Sequence, residues 1–232
     1  MEGSATLPDL YGKVRSLAAG GELERASWIC FLIAYLCPLE GSEPFAGIER
    51  ALATGPGELA DLADVPLGPR TSHDPARGTT TVQAYRAWYE QAGSQEAAFT
   101  GDPGWSPMRR FERLFERLAL PGLTRAARYE LLVLLGTLGL FELEADSLHL
   151  SAARTGGRED ATMLAAKRLF AIGDPLLLER RARALADAVT LPVAALELAL
   201  ANWQTDERAT LGFPPGTADD ETLLLAREAL GL

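Results

Sequence analysis

Apolar residues recur every three or four positions in segment after segment of this chain, which is the spacing of one face of an α-helix. Clear examples are residues 22–36 and 79–92, and the stretch that follows Pro107. Strand-like alternation is confined to LFELEADSLHL (140–150), on both sides of Ala145-Asp146-Ser147, and predicts a short β-hairpin there. The pattern therefore predicts an all-α protein, with one short β-hairpin insertion possible.

The size and composition of the chain suit a globular helical domain. It has 232 residues, 47% of them apolar, which is enough to bury a substantial core. We predict a single helical domain over residues 1–232, with possible lobes at 26–105 and 106–204 and terminal helices in addition. No apolar run reaches the length of a membrane span, and MEGSATLPDL lacks the features of a secretory signal. We therefore expect a cytoplasmic protein with no membrane contact.

One stretch, LALPGLTRAARYELLVLLGTLGLF (118–141), reads as a helix end, a Pro-Gly turn and a second, Leu-rich helix. Pro121 cannot continue a helix, and Gly122 can adopt a positive φ. A helix that begins near Thr124 leaves its first N–H groups unpaired, and these attract phosphate oxygens. Arg125 and Arg128 stand in its first turns. The turn is therefore either a plain connection or a site that holds a nucleic-acid backbone.

The distribution of charge keeps both interpretations open. The net charge of −10 disfavours a protein that coats nucleic acid without specificity. Residues 109–128, however, contain six arginines against two glutamates, so the region of the turn is locally basic. Two cysteines, Cys30 and Cys37, are too few for a four-cysteine zinc or iron–sulfur site, and their spacing on one helix is too long for a disulfide.

The segment LPGLTRAA resembles the hairpin of the helix–hairpin–helix DNA glycosylase superfamily, which contains endonuclease III and adenine DNA glycosylase. FLIAYLCP (31–38), EDATMLAAKRLFAIGDP (159–175) and PVAALELALANW (192–203) resemble further family helices in the same order, so that the likeness covers about residues 26–204. The resemblance implies a two-lobed helical fold that binds locally distorted duplex DNA. The DNA-binding residues it implies are Leu120, Pro121, Gly122, Leu123, Thr124, Arg125 and Arg128.

Three departures from the family pattern limit the chemistry that the resemblance implies. Ala126 stands where lyase-type members carry a lysine, which excludes Schiff-base chemistry at that position. Pro38-Leu39-Glu40 stand where the family has the polar residues of a strand-wedging loop. The insertion that carries LFELEADSLHLSAARTGG (140–157) makes the interval from the hairpin to the Asp longer than the family's. A carbonyl-bound cation in the hairpin is implied by the resemblance alone. His73 and His149 are far apart in the sequence, so we expect no cofactor and no metal site.

The carboxylate that would do the chemistry has more than one candidate. Asp160 opens a helix as the family's catalytic Asp does, Asp146 lies closer to the family's interval from the hairpin, and Glu159 ranks third. Each also has an ordinary structural explanation, as a helix cap or a turn former. The aromatic residues that could stack on a flipped base, or belong to the core, are Tyr85, Trp88, Tyr89 and Trp105.

Three functional hypotheses follow. The first is a monofunctional DNA glycosylase, in which a carboxylate stabilises positive charge at the sugar of a flipped nucleotide and activates water. The second is a relative in thymine hypermodification, similar to the pyrophosphorylases of this superfamily, which would suit the missing lysine. The third is a non-catalytic helical protein that binds DNA or another protein.

Overall fold

The computed structural model describes residues 9–40, 45–53, 62, 65–154, 160–214 and 219–231. Across these ranges there is no β-strand, and one isolated bridge joins Pro38 to Leu67. The prediction of an all-α fold is confirmed. The helices are α1 (Asp9–Ala19), α2 (Leu23–Leu36), α3 (Ala46–Ala53), α4 (Thr80–Glu90), α5 (Gln95–Thr100), α6 (Pro107–Arg117), α7 (Arg125–Thr137), α8 (Ala161–Phe170), α9 (Pro175–Ala188), α10 (Val193–Thr205) and α11 (Asp220–Leu230).

Helices α2 and α7 form the centre of the larger apolar core. Each is apolar on nearly all sides, and a helix of that kind is stable only when other elements cover it. Accordingly, every residue from Ala26 to Leu36 is buried, and α2 packs against α1, α3, α5 and α7. Cys30 and Cys37 lie within this core as free thiols. Burial raises the pKa of both thiols well above the usual range.

A second, smaller apolar cluster joins α8, α9 and α10. It contains Met163 of α8, Leu178 of α9 and Leu196 of α10. Helix α10 also contributes Leu198 to the larger core, so it links the two clusters. Both α6 and α7 belong to the larger core together with α2. The division into lobes at residues 105 and 106 stays a prediction.

The predicted β-hairpin in residues 140–150 is wrong. Instead of pairing with a strand, the backbone N–H groups of Leu148 and Leu150 donate to the two carboxylate oxygens of Glu179 on α9, the first at 2.7 Å. Both leucine side chains are buried in the smaller cluster, while His149 between them takes a φ of 52°. The alternating pattern therefore arises because Leu148 and Leu150 are buried against helices. The Glu179 carboxylate accepts the backbone hydrogen bonds that a neighbouring strand would otherwise have accepted.

The apolar helices are too short to suggest a membrane span. No single helix in the part of the chain that the structure describes is long and apolar enough to cross a bilayer. Helices α9 and α10, bent by 110° at their junction, reach that length and composition only when they are taken together.

The Pro-Gly turn joins α6 to α7 and packs against the first turn of α4. Thr124 caps α7, because its Oγ1 accepts a hydrogen bond from the Ala127 N–H at 3.2 Å. Gly122 has a φ of +79°, and a Cβ atom there would lie 2.1 Å from Oγ1 of Thr81. The glycine is thus required by the close approach of α4 as well as by the backbone conformation.

We expect Gly122→Ala to destabilise the protein by about 2 to 4 kcal/mol, from left-handed strain plus the clash with Thr81. Gly139→Ala is the matched control, because Gly139 has a φ of +77° but open space where a Cβ atom would lie. The control variant has the backbone strain without the clash, so its free energy of unfolding should fall by about 1 kcal/mol. Urea denaturation of both variants measures the difference. Equal losses would show that the contact with Thr81 imposes no constraint.

Candidate functional site

A cavity of about 320 Å³ lies between the Pro-Gly turn and the segment 71–77. Its wall combines hydroxyl groups, charged groups and a few apolar side chains. Helix α7 begins at its edge, so the unpaired N–H groups of that helix's first turn are near the cavity. The polar residues that line it are Thr71, Ser72, His73, Asp74, Arg77, Thr124 and Arg128.

Hydrogen bonds fix the segment 71–77 against α2 and α7. The Ser72 N–H donates to the Tyr35 carbonyl oxygen at 2.9 Å. The Ser72 hydroxyl lies 2.6 Å from Oγ1 of Thr124 and also accepts from the Thr124 N–H at 3.1 Å. The two walls of the cavity are therefore joined directly at their polar edge.

Arg128 is the most unusual residue of the wall, because it is a buried cation that pairs with none of the described carboxylates. Its side chain lies over the Phe115 ring, with Cζ 4.4 Å from the ring centre, and Nη1 donates to the Phe115 carbonyl oxygen at 3.3 Å. It is 5% exposed, its Nε has no hydrogen-bond partner, and no ion pair to it occurs within the described ranges. Burial, and then the charge of Arg125, lower its pKa. An uncompensated buried charge of this kind favours an anionic ligand.

The segment 71–77 adds a histidine and a second cation. His73 Nδ1 lies 3.2 Å from the Tyr35 hydroxyl, and burial lowers the pKa of its ring, against the opposing charge of Asp74. Asp74 accepts from the Ala76 N–H at 3.0 Å, and its other oxygen lies 3.3 Å from Nε of Arg77. Asp74 and Arg77 are about half exposed, which leaves them free to reorient toward a ligand.

His149 contacts the same aromatic ring, Phe115, as Arg128 does. Its ring stacks on Phe115, with the ring centres 4.1 Å apart. Burial, followed by the charge of Arg125, lowers the pKa of His149 to about 4, so the ring is neutral at physiological pH. Nowhere in the described residues do three or more His, Cys, Asp or Glu side chains gather as metal ligands would.

Arg125 does not lie where the sequence-based prediction put it. Its guanidinium is inside the protein, 2.6 Å from Oδ2 of Asp160 and 2.6 Å from Oε1 of Glu197. Nη1 also donates to the Leu148 carbonyl oxygen at 2.8 Å. The expectation that Arg125 reinforces a phosphate site beside the turn is therefore corrected, because two buried carboxylates already neutralise it.

The candidate catalytic carboxylates are also away from the cavity. Asp160 caps α8, accepting from the Met163 N–H at 3.0 Å, and its other oxygen pairs with Arg125. Asp146 lies 3.5 Å from Arg183 and lines a different cavity, of about 350 Å³. Glu159 lies outside the described residues. The Pro-Gly turn and Arg128 thus share a site, whereas Asp160 and Asp146 do not belong to it.

The aromatic residues proposed to stack on a base are mostly core residues. Tyr85 is fully buried and stacks on Phe31 at 3.8 Å, which leaves no ring face for a base. Trp88 packs between Tyr85 and Phe99. Tyr89 contacts Tyr85 edge to face. Trp105 lies apart from this cluster, with the Arg117 guanidinium 5.1 Å from its ring centre.

A second buried ion cluster, which was not predicted from the sequence, lies on another side of α7. Nη1 of Arg70 is 2.6 Å from Oε1 of Glu130, and Nε of Arg70 is 3.0 Å from Oε2 of Glu207. Burial raises the pKa of Glu130 to about 7, against the opposing charge of Arg70. The signal in the sequence was a single acid inside a run of apolar residues, as in YELLVLLG for Glu130 and ALELALAN for Glu197.

The segment that contains the cavity matches a known protein family. A family model described as alpha-glutamyl/putrescinyl thymine pyrophosphorylase clade 3 matches residues 70–212, which is well over half of the chain. The matched segment takes in the whole cavity wall and both ion clusters. No curated protein and no solved structure matches the chain.

We predict that Asp160→Asn destabilises the protein by about 3 kcal/mol, since it leaves the buried Arg125 with one carboxylate instead of two. Asp174→Asn on α9 is the control, because Asp174 caps its helix with the same backbone angles and the same 3.0 Å bond but forms no ion pair within the described ranges. Asn caps as well as Asp, so the control should change stability by less than about 0.5 kcal/mol. Thermal or urea unfolding measures both. A small, equal effect in the two variants would mean that Asp160 is only a cap.

Proposed function

This chain belongs to the alpha-glutamyl/putrescinyl thymine pyrophosphorylase clade 3 family, and we propose that it catalyses a pyrophosphorylase reaction on a thymine substrate. We further propose that the pyrophosphate group binds in the cavity beside the Pro-Gly turn. The observation that carries this proposal is Arg128, a buried cation in the cavity wall with no ion-pair partner among the described residues.

The family's name defines the chemistry that we propose. A pyrophosphorylase breaks or forms a bond to pyrophosphate, and glutamate and putrescine each carry an amino nitrogen. In the proposed reaction, the bond between a thymine substituent carbon and a pyrophosphate oxygen breaks, and the electron pair leaves with that oxygen. A bond from the amino nitrogen to the same carbon replaces it, and the amine releases one proton. The reverse direction consumes pyrophosphate.

The cavity offers several groups that suit a leaving pyrophosphate. Arg128 supplies a desolvated cation, and Arg77 a second one that can swing inward. Among the first N–H groups of α7, that of Ala127 is bonded to Thr124 Oγ1, which leaves those of Arg125 and Ala126 for a phosphate oxygen. The hydroxyls of Ser72 and Thr124 are bonded to each other, which leaves one of their two protons as a further donor at the same edge. Such pre-oriented donors stabilise the charge that develops on a leaving group.

The glycosylase hypothesis gives way to this proposal. Neither Asp160 nor Asp146 lines the cavity at the turn, and Asp160 is committed to Arg125. The family that matches is named for a pyrophosphorylase and not for a base-releasing hydrolase. The alternative role in thymine hypermodification therefore accounts for more of the observations.

The test is pyrophosphate binding to the purified protein by isothermal titration calorimetry. We expect Arg128→Gln to weaken binding about 10- to 100-fold, since hydrogen bonds to a charged group contribute about 1.5 to 3 kcal/mol each. The variant should not lose thermal stability, because Gln removes an uncompensated buried charge. Arg113→Gln is the control, on an exposed position of α6. Unchanged affinity in Arg128→Gln would refute the proposed site.

We propose in addition that the thymine is presented within duplex DNA and that α6 contacts the phosphates. Arg109, Arg113 and Arg117 are exposed and recur every four residues, so they share one face of the helix that leads into the Pro-Gly turn. The three remaining arginines of residues 109–128 are buried. The positive charges of residues 109–128 are therefore accessible to a partner mainly along this face of α6.

A salt titration of DNA binding tests the contact. Each lost phosphate contact should reduce the slope of log K against log salt by about one unit. We expect the triple variant Arg109→Ala, Arg113→Ala, Arg117→Ala to lose two to three units, roughly one for each arginine. The control replaces Arg180, Arg181 and Arg183 of α9, with the same change of net charge on another surface. A slope near zero in the unmodified protein would exclude this partner.

A further inference from the structure

We propose that His73 binds the leaving pyrophosphate through a neutral Nε2–H group, and that Tyr35 selects this tautomer of the ring. The inference rests on the proposed function and names a further contact residue and its positioning residue. It follows from the hydrogen bond between the Tyr35 hydroxyl and His73 Nδ1 at the wall of the cavity.

Tyr35 is well suited to act as the donor in that hydrogen bond. Its ring is fully buried near the end of α2, and burial raises the pKa of its hydroxyl, so it keeps its proton. Interactions with the Thr81 side chain and with the Asp74 backbone oppose that rise in the pKa of Tyr35, as hydrogen bonds donated to its oxygen do. Nδ1 of His73 lies 3.2 Å from the hydroxyl oxygen and can accept its proton. The two rings meet edge to face, with their centres 5.7 Å apart.

The tautomer of His73 follows from this arrangement. A neutral imidazole has one N–H and one bare nitrogen, so an Nδ1 that accepts from Tyr35 leaves the proton on Nε2. Partial burial disfavours the imidazolium form. Asp74, whose charge opposes this shift, lines the cavity together with Arg77 and Arg128. The ring therefore stays neutral before the anion arrives and presents a donor at Nε2.

A neutral ring with its proton on Nε2 can make this contact. Its Nε2–H can hydrogen-bond a pyrophosphate oxygen, and the bond strengthens as charge moves onto that oxygen. Arg128 lies in the same cavity wall and supplies the full positive charge. His73 thereby adds a directional contact to the charge that Arg128 provides.

The first experiment needs no ligand. The chain has two histidines, so ¹⁵N-detected NMR of the ring nitrogens, with His149→Phe for assignment, resolves His73. We expect His73 with Nε2 protonated and Nδ1 bare, and a mixture of both tautomers in Tyr35→Phe. Nδ1 protonated in the unmodified protein would overturn the inference and leave the proposed function untouched.

The second experiment adds pyrophosphate. We expect the Nε2 signal to shift on binding. His73→Gln should retain most of the affinity because its amide nitrogen can replace Nε2–H, whereas His73→Asn, whose amide mimics Nδ1, should lose about tenfold. Binding that depends on Arg128 but leaves the Nε2 signal unmoved would overturn the role of His73 alone. No binding of pyrophosphate at all would overturn both proposals.

Discussion

The buried ion pairs of Arg125 determine how the rest of the site is arranged. Asp160 at the start of α8 and Glu197 on α10 both contact its guanidinium at 2.6 Å, so one residue of α7 holds two helices of the smaller cluster. Separating any partner would leave a charge in a low-dielectric interior, which is far more costly than breaking a surface ion pair. The first turn of α7 is therefore held in one orientation relative to α8 and α10.

The orientation of the first turn of α7 decides which groups Arg128 can contact. Arg128 lies one helical turn after Arg125, on a neighbouring part of the helix surface. The carboxylates of Asp160 and Glu197 are already paired with Arg125, and burial, followed by the Arg125 charge, lowers the pKa of Arg128. Only the Phe115 ring and one carbonyl oxygen compensate Arg128 within the described part of the protein. Two arginines three residues apart thus have opposite roles, one within the framework of the fold and the other in the wall of a cavity.

The helical fold was open to prediction from the sequence because periodic burial of apolar residues is a property of each segment by itself. The error in residues 140–150 arose because the acceptors of Leu148 and Leu150 come from Glu179, about thirty residues further along the chain. The Pro-Gly turn, which lines the proposed site, was singled out from its local chemistry. The sequence could not reveal that Arg125 faces inward, since its carboxylate partners lie on separate helices, nor that residues 71–77 complete the cavity through Ser72 and Thr124.

The charge of the whole chain bears on what the cavity selects. A net charge of −10 repels polyanions from most of the surface, so an anion gains attraction only where cations are concentrated. Exposed arginines contribute little once salt screens them. Arg128 is shielded from that screening, because its charge is desolvated before any ligand arrives. A compact, highly charged anion that enters the cavity therefore gains more electrostatic attraction than an extended anion that stays at the rim. This difference favours pyrophosphate in the cavity, with a nucleic-acid backbone held outside it along α6.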